Sequence, residues 1–186
     1  MLLGCTLFWF ATNSRASTET TAYRVVKKTG DVEIRDYPEM EVARTPMDSR
    51  GMDGSFGRLF RFITGANDSK KNIAMTTPVL IAGSDNERTM SFILPVATVR
   101  DGVPAPNGSA VKIEKLSAAR YAAMRFSGGR NEANEKRAGD KIRALLKNQN
   151  ITPVGEVVFA YYDPPWTPLF MRRNEVLIRV EKTAVR

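Results

Sequence analysis

The residues best suited to binding chemistry lie together in residues 161–176, YYDPPWTPLFMRRNEV. Two tyrosines, a tryptophan and a phenylalanine stand there beside three prolines and the paired guanidiniums of Arg172 and Arg173. Because proline fixes φ at about −65° and lacks a backbone donor, this stretch is predicted to form a stiff loop. A stiff loop loses little conformational entropy when a ligand orders it. Its flat apolar and cationic groups therefore suit a planar molecule that carries acidic groups.

The sequence contains no histidine and a single cysteine, Cys5. A Ser/His/Asp triad, a Cys/His nucleophile and a Cys/His metal cluster are therefore excluded. No glycine-rich phosphate loop follows a predicted strand. The acids Glu33, Asp36 and Glu41 are spread along exposed positions of a predicted hairpin, where we expect solvated charges rather than an acid/base pair. These residues favour a binding protein over an enzyme.

The charge balance favours an anionic partner. Lys and Arg number 28 against 20 Asp and Glu, which gives a net charge of +8. Nucleic acid, an acidic lipid surface and a carboxylate-bearing small molecule all fit such a balance. The cations are dispersed, however, with no run longer than pairs such as Lys27-Lys28. A nucleic-acid partner is not expected, because no basic stripe with interleaved aromatic residues is present.

The N-terminal segment is the one place in this sequence where targeting information could lie. Residues 1–11 are strongly apolar (MLLGCTLFWFA), and residues 12–21 are small and polar. This pattern resembles the end of a secretory signal that is cleaved after Ala16, or a lipoprotein signal in which Cys5 is lipidated. The missing basic start of such a signal points to a true start codon further upstream. We expect an exported protein (periplasmic, extracellular or anchored to a membrane through its N-terminus). A cytoplasmic protein with a disordered apolar tail is the alternative.

Alternating hydrophobicity and turn residues divide the rest of the chain into short strands. We predict strands over residues 23–28, 32–37, 40–45, 73–82, 89–94, 110–116, 121–127, 154–161 and 176–181. The range 95–108, with three prolines and two glycines, is predicted to be an irregular connection.

Helical periodicity appears twice. Residues 131–148 are predicted to form the second helix, and residues 55–64 the first. In the first helix, apolar residues at positions i, i+3, i+4 and i+7 form one face: Phe56, Leu59, Phe60 and Ile63. This spacing is equally that of an ordinary core face and of a face exposed to a ligand. Arg58 and Arg61 fall outside the face, where we expect both to meet solvent.

The order of the elements predicts a single α+β domain over residues 22–186, after a leader and linker at 1–21. Strands, a helix and two further strands occur twice, which suggests an internal pseudo-duplication. The fold is predicted to be a distorted β-barrel or curved antiparallel sheet with two helices, built from two pseudo-repeated halves. We expect a monomer.

Six short motifs occur in an order that resembles the SOUL heme-binding protein family. They are RDYP at 35–38, GAN at 65–67, IAMTTPV at 73–79, RFSG at 125–128, YDPPWTP at 162–168 and RRNEV at 172–176. Each motif alone is weakly specific, whereas the six in order span about residues 23–180. The sequence is therefore identified by resemblance as a member of this family.

The resemblance implies a distorted barrel flanked by two helices, and a tetrapyrrole site on an apolar patch of the first helix and the proline-rich loop. On this sequence the loop contributes Trp166, and the helix contributes the four residues of its apolar face, namely Phe56, Leu59, Phe60 and Ile63. Arg61 matches a basic helix position of the family, which implies a contact with a propionate.

The paired arginines leave two interpretations open. Arg172 and Arg173 could clamp the propionates through bidentate hydrogen bonds. Alternatively, one of them pairs with Glu175 or another acid and holds the loop, and both roles can coexist.

Without histidine, only Met, Tyr, Cys or water could hold a heme iron. Met171 is the candidate nearest the loop, whereas Met75, Tyr161 and Tyr162 are expected to be buried structural residues. The tetrapyrrole is therefore expected to bind through the face of its macrocycle, without a strong axial bond.

These residues predict a protein that binds heme or another tetrapyrrole non-covalently, as a carrier, buffer or scavenger, and that is not an enzyme. One alternative is an enzyme on the same scaffold that removes the metal from a tetrapyrrole. Another is an interaction module whose aromatic loop docks on a protein or lipid surface.

Overall fold

A computed structural model of the chain describes residues 18–47, 51–83 and 87–182. The fold is α+β, as predicted, and these residues form eleven strands, three α-helices and a short 3-10 helix, Leu169–Met171. The strands are β1 (Glu19–Thr20), β2 (Arg24–Thr29), β3 (Val32–Tyr37), β4 (Met40–Pro46), β5 (Thr76–Thr77), β6 (Val79–Ala82), β7 (Thr89–Ile93), β8 (Lys112–Leu116), β9 (Ala119–Phe126), β10 (Pro153–Tyr161) and β11 (Asn174–Val180). The α-helices are α1 (Gly51–Ile63), α2 (Val96–Asp101) and α3 (Glu132–Asn148).

Nine of the strands form one curved sheet in the order β2-β3-β9-β11-β10-β6-β7-β4-β8, and each pairing in it is antiparallel. Strands β1 and β5 form a separate parallel pair. Over the described ranges, the end strands β2 and β8 do not pair with each other. The sheet is therefore open: of the two predicted forms, the curved antiparallel sheet is confirmed and the β-barrel is wrong. The pseudo-duplication stays a prediction.

Helices α1 and α3 cover one face of the sheet. Ile142 and Leu146 of α3 pack with Ile34, Met124 and Val176 in one core cluster, and α1 packs in a second cluster over β4, β6 and β7. Because successive side chains of a strand point to opposite faces, the residues between these core positions face away from both helices. This second face carries the polar cluster described below.

Residues 95–108 were predicted to be an irregular connection, but the structure has the helix α2 within this range. The described residues therefore form three α-helices, not the predicted two. Pro95 is the N-cap residue of α2, with φ −56°, and Gly102 ends the helix at φ 95°. Proline suits the start of a helix because the first turn has amide groups without intrahelical partners. Glycine adopts a positive φ without the steric cost of a Cβ. Pro95 and Gly102 indicated a loop in the sequence, and in the structure they stand at the two ends of a helix of six residues.

The remaining predicted elements match the structure within a few residues at each end, except that Pro78 divides the predicted strand 73–82 into β5 and β6. Cleavage after Ala16 and lipidation of Cys5 concern residues outside the described ranges. Among the helices that the structure describes, none combines the length and hydrophobicity required to cross a membrane.

Candidate functional site

The inner face of α1 belongs to the core. Leu59, Phe62 and Ile63 are buried in the cluster that includes Met90 and Tyr161. Leu59 and Ile63 were both predicted to line the ligand site. Instead they anchor the helix to the core and expose almost no surface. Phe62 was not singled out from the sequence, because it lies one residue away from the simplest i, i+3, i+4 pattern.

Three aromatic rings in contact with one another connect this core to the surface of α1. The Phe56 ring meets the buried Phe92 ring edge-on, with centroids 5.2 Å apart at an interplanar angle of 65°. On its other side Phe56 stacks with Phe60, at 5.9 Å and 15°. The side chain of Phe60 is 47% exposed. Of the four apolar residues predicted on this helix, Phe56 and Phe60 thus form the part that a ligand can reach.

The two arginines of α1 have different environments. Arg58 donates from Nε to Oγ1 of Thr45, over 2.8 Å, and from Nη2 to the hydroxyl of Ser55. The expectation that Arg58 faces solvent is therefore wrong, because it ties the helix to β4. Arg61 is exposed and forms no ion pair with any residue that the structure describes. Its guanidinium lies beside Gly57, where a Cβ would make an ordinary van der Waals contact with Nη1, at 3.7 Å.

The loop between β10 and β11, residues 162–173, presents four large apolar side chains to solvent. Trp166 is 82% exposed and Phe170 is 85% exposed. Leu169 and Met171 are also more than half exposed. Exposed apolar side chains that cluster in this way mark interaction sites more often than single ones do. Trp166 and Met171 were predicted as site residues, and the structure adds Leu169 and Phe170 beside them.

Arg172 holds the loop through its backbone. Its Nε donates to the carbonyl oxygen of Thr167 over 2.7 Å, and its Nη2 donates to that of Pro165. These two carbonyls flank Trp166 on either side. Carbonyl oxygens do not neutralise a guanidinium, and Arg172 forms no ion pair with the described part of the chain. The guanidinium therefore keeps its positive charge beside the backbone on either side of Trp166.

Arg173, in contrast, has a carboxylate partner. Its Nη2 lies 2.9 Å from Oε1 of Glu175, and its guanidinium lies 4.0 Å above the ring of Tyr162. Its backbone amide donates to the carboxylate of Asp163, and its carbonyl accepts from the amide of Tyr162. Of the two interpretations of the paired arginines, the loop-holding one describes the contacts of Arg173.

Glu175 is the centre of a buried polar cluster on the sheet face away from the helices. Its Oε2 accepts from Nη1 of Arg35 over 2.7 Å and from the hydroxyl of Tyr162 over 2.9 Å. Arg125 approaches its Oε1 to 3.5 Å. Burial raises the pKa of this carboxyl, but the hydrogen bonds and charges of Arg35 and Arg173 outweigh burial and hold the pKa below its usual value. Glu175 is therefore ionised at neutral pH.

The aromatic and sulfur candidates for an iron ligand differ in accessibility. The hydroxyl of Tyr161 donates to the carboxylate of Glu135, and that of Tyr162 donates to Glu175. Burial, together with these carboxylates, raises the pKa of both phenols, which opposes the phenolate needed to bind iron. Met171 is 62% exposed, so its thioether is accessible. The described residues contain no cluster of three or more His, Cys, Asp or Glu side chains suited to a metal ion.

The accessible part of α1, Phe56 and Phe60, and the loop of residues 162–173 are attached to the same core. Tyr161 ends β10 immediately before the loop, and its ring packs in the cluster that contains Leu59 and Ile63. On the far side of the loop, Leu169 lies against Gly129, where a Cβ would be 3.5 Å from its Cδ2. The predicted site residues thus fall into three groups. Leu59 and Ile63 are buried, and Phe56, Arg172 and Arg173 are half-buried. The exposed ones are Phe60, Arg61, Trp166 and Met171.

Comparisons with known sequences agree on one family of proteins. The model of the SOUL heme-binding protein family matches residues 18–179. Heme-binding protein 1 of Mus musculus is 29% identical over 156 residues, which cover 80% of this chain and 77% of that protein. Heme-binding protein 1 of Xenopus laevis is 26% identical over 142 residues, covering 73% and 74% of the two chains.

Solved structures with low sequence identity share the fold. The crystal structure of the EcmrR C-terminal domain has a TM-score of 0.60 at 11% identity, and the match covers 86% of this chain and 98% of that one. An uncharacterized conserved protein from Listeria innocua has a TM-score of 0.59 at 13% identity, covering 81% and 92%. At such identities the likeness concerns the fold alone.

Proposed function

We propose that this chain, which belongs to the SOUL heme-binding protein family, binds heme or a related tetrapyrrole non-covalently. The name of its relatives, Heme-binding protein 1, supports this ligand class. The observation that carries the proposal for this chain is the cluster of exposed apolar side chains at Trp166 and residues 169–171. It is backed by the charge of Arg172, which no carboxylate among the described residues compensates. This surface matches a flat apolar ligand that carries carboxylates.

The macrocycle face supplies most of the binding free energy in this proposal. Each 100 Å² of apolar surface that the ligand and the protein bury together contributes about 2.5 kcal/mol. Trp166 and Phe60 offer ring faces, and Met171 offers a flexible thioether that adapts to an aromatic surface. The loop is already held by Arg172, so little ordering entropy opposes binding.

The propionates are assigned to two cations. Arg172 contacts the carbonyls on either side of Trp166 and has donors left after these two contacts, since a guanidinium carries five N–H groups. Arg61 is exposed on α1, next to Phe60. Arg173 is less suited, because Glu175 already compensates its charge. A carboxylate near Arg172 would form a charge-assisted hydrogen bond, which is stronger than one between neutral groups.

The role that we propose is that of a carrier, buffer or scavenger rather than an enzyme. The binding surface is open and its apolar groups are exposed, which suits reversible uptake and release. Iron is a bystander in this account, because the chain has no histidine and the phenols of Tyr161 and Tyr162 both donate hydrogen bonds to carboxylates. Metal-free and iron-loaded ligands are then bound alike.

Replacement of Trp166 tests the assignment of the surface. Hemin titrated into Trp166→Ala is expected to bind about tenfold more weakly than to the unchanged chain, because the indole face is lost. Val96→Ala is the matched control, since Val96 is also an exposed apolar residue, at 75%, but lies on α2. Equal hemin affinity in Trp166→Ala and Val96→Ala would show that the loop is not part of the binding site.

The 85% exposure of Phe170 also suits an interaction module, in which the loop docks on a protein or lipid surface. The same variants separate the two functions. Weaker hemin binding in Trp166→Ala supports the tetrapyrrole site. Unchanged hemin affinity, combined with lost binding to anionic vesicles or to a protein partner, would favour the interaction module instead.

We also propose that the chain is exported or anchored through its N-terminus. The apolar run of residues 1–11 and the small residues that precede Ala16 support this proposal. The first strand that the structure describes, β1, begins at Glu19, shortly after that position. Mass spectrometry of the protein from its own cells is expected to find Ser17 as the first residue, or a lipid on Cys5. An intact N-terminus in the cytoplasmic fraction would contradict export.

A further inference from the structure

Met171 differs from the other described methionines in its exposure. It is 62% exposed, whereas Met90 and Met124 are buried. Three further methionines are half-buried, namely Met40, Met47 and Met75. Among the methionines whose side chains the structure describes, Met171 therefore has the thioether that a small solute reaches most easily.

This thioether belongs to the apolar surface of the proposed tetrapyrrole site. Leu169 and Phe170 precede it in the 3-10 helix and are also exposed. Trp166 is exposed in the same loop. A chemical change at the sulfur of Met171 therefore acts on the surface that we assign to the macrocycle, and the inference drawn from it rests on that proposed function.

The shape of the loop is held by other groups. The backbone amide of Met171 donates to the carbonyl oxygen of Pro168 over 2.9 Å. The guanidinium of Arg172 donates to the carbonyls of Pro165 and Thr167. The thioether takes no part in these contacts. A change in its polarity should therefore alter the surface of the loop and leave the fold intact.

We propose that Met171 is a site of reversible oxidation to methionine sulfoxide, and that this oxidation lowers the affinity of the loop for a tetrapyrrole. The oxidant is hydrogen peroxide. A lone pair of the sulfur forms an S–O bond with one peroxide oxygen, the O–O bond breaks, and the other oxygen leaves as water with both protons. The sulfur gives up two electrons, which the peroxide accepts. Methionine sulfoxide reductases reverse the oxidation.

The expected loss of affinity follows from the polarity of the product. A thioether is apolar and adapts to an aromatic surface, whereas a sulfoxide is polar. The sulfoxide oxygen accepts hydrogen bonds from water, and the face of a macrocycle does not replace them. Tetrapyrrole binding should therefore become about three- to tenfold weaker after oxidation. The same contact works in the other direction, because a bound macrocycle covers the sulfur and should slow its oxidation.

The test uses the full chain and metal-free protoporphyrin in the dark, so that neither iron nor light supplies a second oxidant. The chain is treated with hydrogen peroxide, the excess is removed by gel filtration, and peptide mass spectrometry locates the added oxygen. We expect Met171 to be oxidised several-fold faster than Met75, and saturating protoporphyrin to slow the reaction at Met171. The oxidised chain should bind protoporphyrin about three- to tenfold more weakly, with an unchanged urea unfolding curve. A methionine sulfoxide reductase should restore the affinity.

Two variants locate the effect. Met171→Leu is compared with itself before and after peroxide treatment, and its protoporphyrin affinity should be the same in both states. This variant retains Cys5 and Trp166, so any effect of peroxide on those residues would persist in it. Met75→Leu is the matched control, because it removes a half-buried methionine. It should lose affinity on peroxide treatment as the unchanged chain does.

The proposal is overturned if the half-buried methionines are oxidised before Met171, or if protoporphyrin does not slow the oxidation of Met171. It is also overturned if the oxidised chain binds protoporphyrin as well as before, or if the effect of peroxide persists in Met171→Leu. The tetrapyrrole proposal survives each of these results. Failure of the untreated chain to bind protoporphyrin saturably would overturn both proposals.

Discussion

Arg35 and Glu175 are 140 residues apart in the sequence, yet Nη1 of one lies 2.7 Å from Oε2 of the other, and neither side chain is more than 2% exposed. The pair joins β3 to β11 across the strand between them, β9. Ala123 of β9 lies on the same face, and its small side chain leaves room for the two long ones to meet. The motifs RDYP and RRNEV are thus parts of one buried cluster.

Removal of the Glu175 charge is expected to destabilise the fold strongly. Glu175→Gln keeps the volume but removes the buried carboxylate that Arg35 contacts, leaving Arg35 with the more exposed carboxylate of Glu33, so the free energy of unfolding should fall by about 3 to 5 kcal/mol. Urea unfolding followed by circular dichroism measures this change. Asp140→Asn is the control, because Asp140 pairs with Lys136 at an exposed position of α3 and should unfold like the unchanged chain. An equally stable Glu175→Gln variant would contradict this role.

The stability of the protein should also depend on Asp36 at acidic pH. Hydrogen bonds from Arg120, followed by those from Arg24, outweigh burial and lower the pKa of this carboxyl from 3.8 to about 2. A carboxyl with a lower pKa in the folded state stabilises the fold above its unfolded pKa, and this contribution is lost as the pH falls from about 4 towards 2.

Urea unfolding between pH 2 and 6 tests this dependence. The free energy of unfolding of the unchanged chain should fall towards pH 2 more steeply than that of Asp36→Asn, which has no carboxyl to protonate at this position. Parallel pH profiles for the two chains would show that the contacts of Asp36 with Arg120 contribute nothing.

Two neighbouring positions of α1 are expected to separate folding from binding. Leu59→Ala removes a fully buried side chain, so it should lower the free energy of unfolding by about 2 to 5 kcal/mol. Phe60→Ala removes a side chain that is about half exposed, and it should weaken hemin binding with much less effect on stability. Urea unfolding and hemin titration of both variants measure the contrast. Equal losses of stability in the two variants would contradict the assignment of Phe60 to the ligand surface.

The paired arginines of the loop should differ in the same way. Arg172→Gln removes the charge beside the Trp166 backbone and a donor to the two neighbouring carbonyls, so hemin affinity should fall about tenfold with a small loss of stability. Arg173→Gln leaves Glu175 with one cation fewer in a buried cluster, so its larger effect should be on unfolding. Hemin titration and urea unfolding of both variants distinguish the roles. The reverse pattern would assign the propionates to Arg173.

The sequence predicted local features of the fold well and long-range ones poorly. Residues 32–37 were predicted as a strand with the bounds that the structure has for β3, because their alternation is a local pattern. The same alternation suggested that Glu33 lies in solvent, but its carboxylate lies 2.8 Å from the buried guanidinium of Arg35. Sequence periodicity cannot show that Tyr23, 4.2 Å from that guanidinium, covers this face of the sheet.

The candidate site was predictable in part for the same reason. The exposure of Trp166 follows from its place between prolines in a loop, whereas the exposure of Phe170 depends on how the short 3-10 helix packs. The periodicity of α1 placed its four apolar residues on one face. It could not distinguish Leu59, which faces the core, from Phe60, which lies at the edge of that face. That distinction depends on the position of the sheet beneath the helix.

The central claim is that the chain binds the face of a tetrapyrrole and that iron is a bystander. Absorbance titrations of hemin and of metal-free protoporphyrin into the full chain test it most directly. We expect a saturable shift of the Soret band with both ligands and dissociation constants within a few-fold of each other. A saturable shift with hemin alone would contradict face binding and direct attention to Met171 as an iron ligand. No saturable change with either ligand would contradict tetrapyrrole binding by this chain.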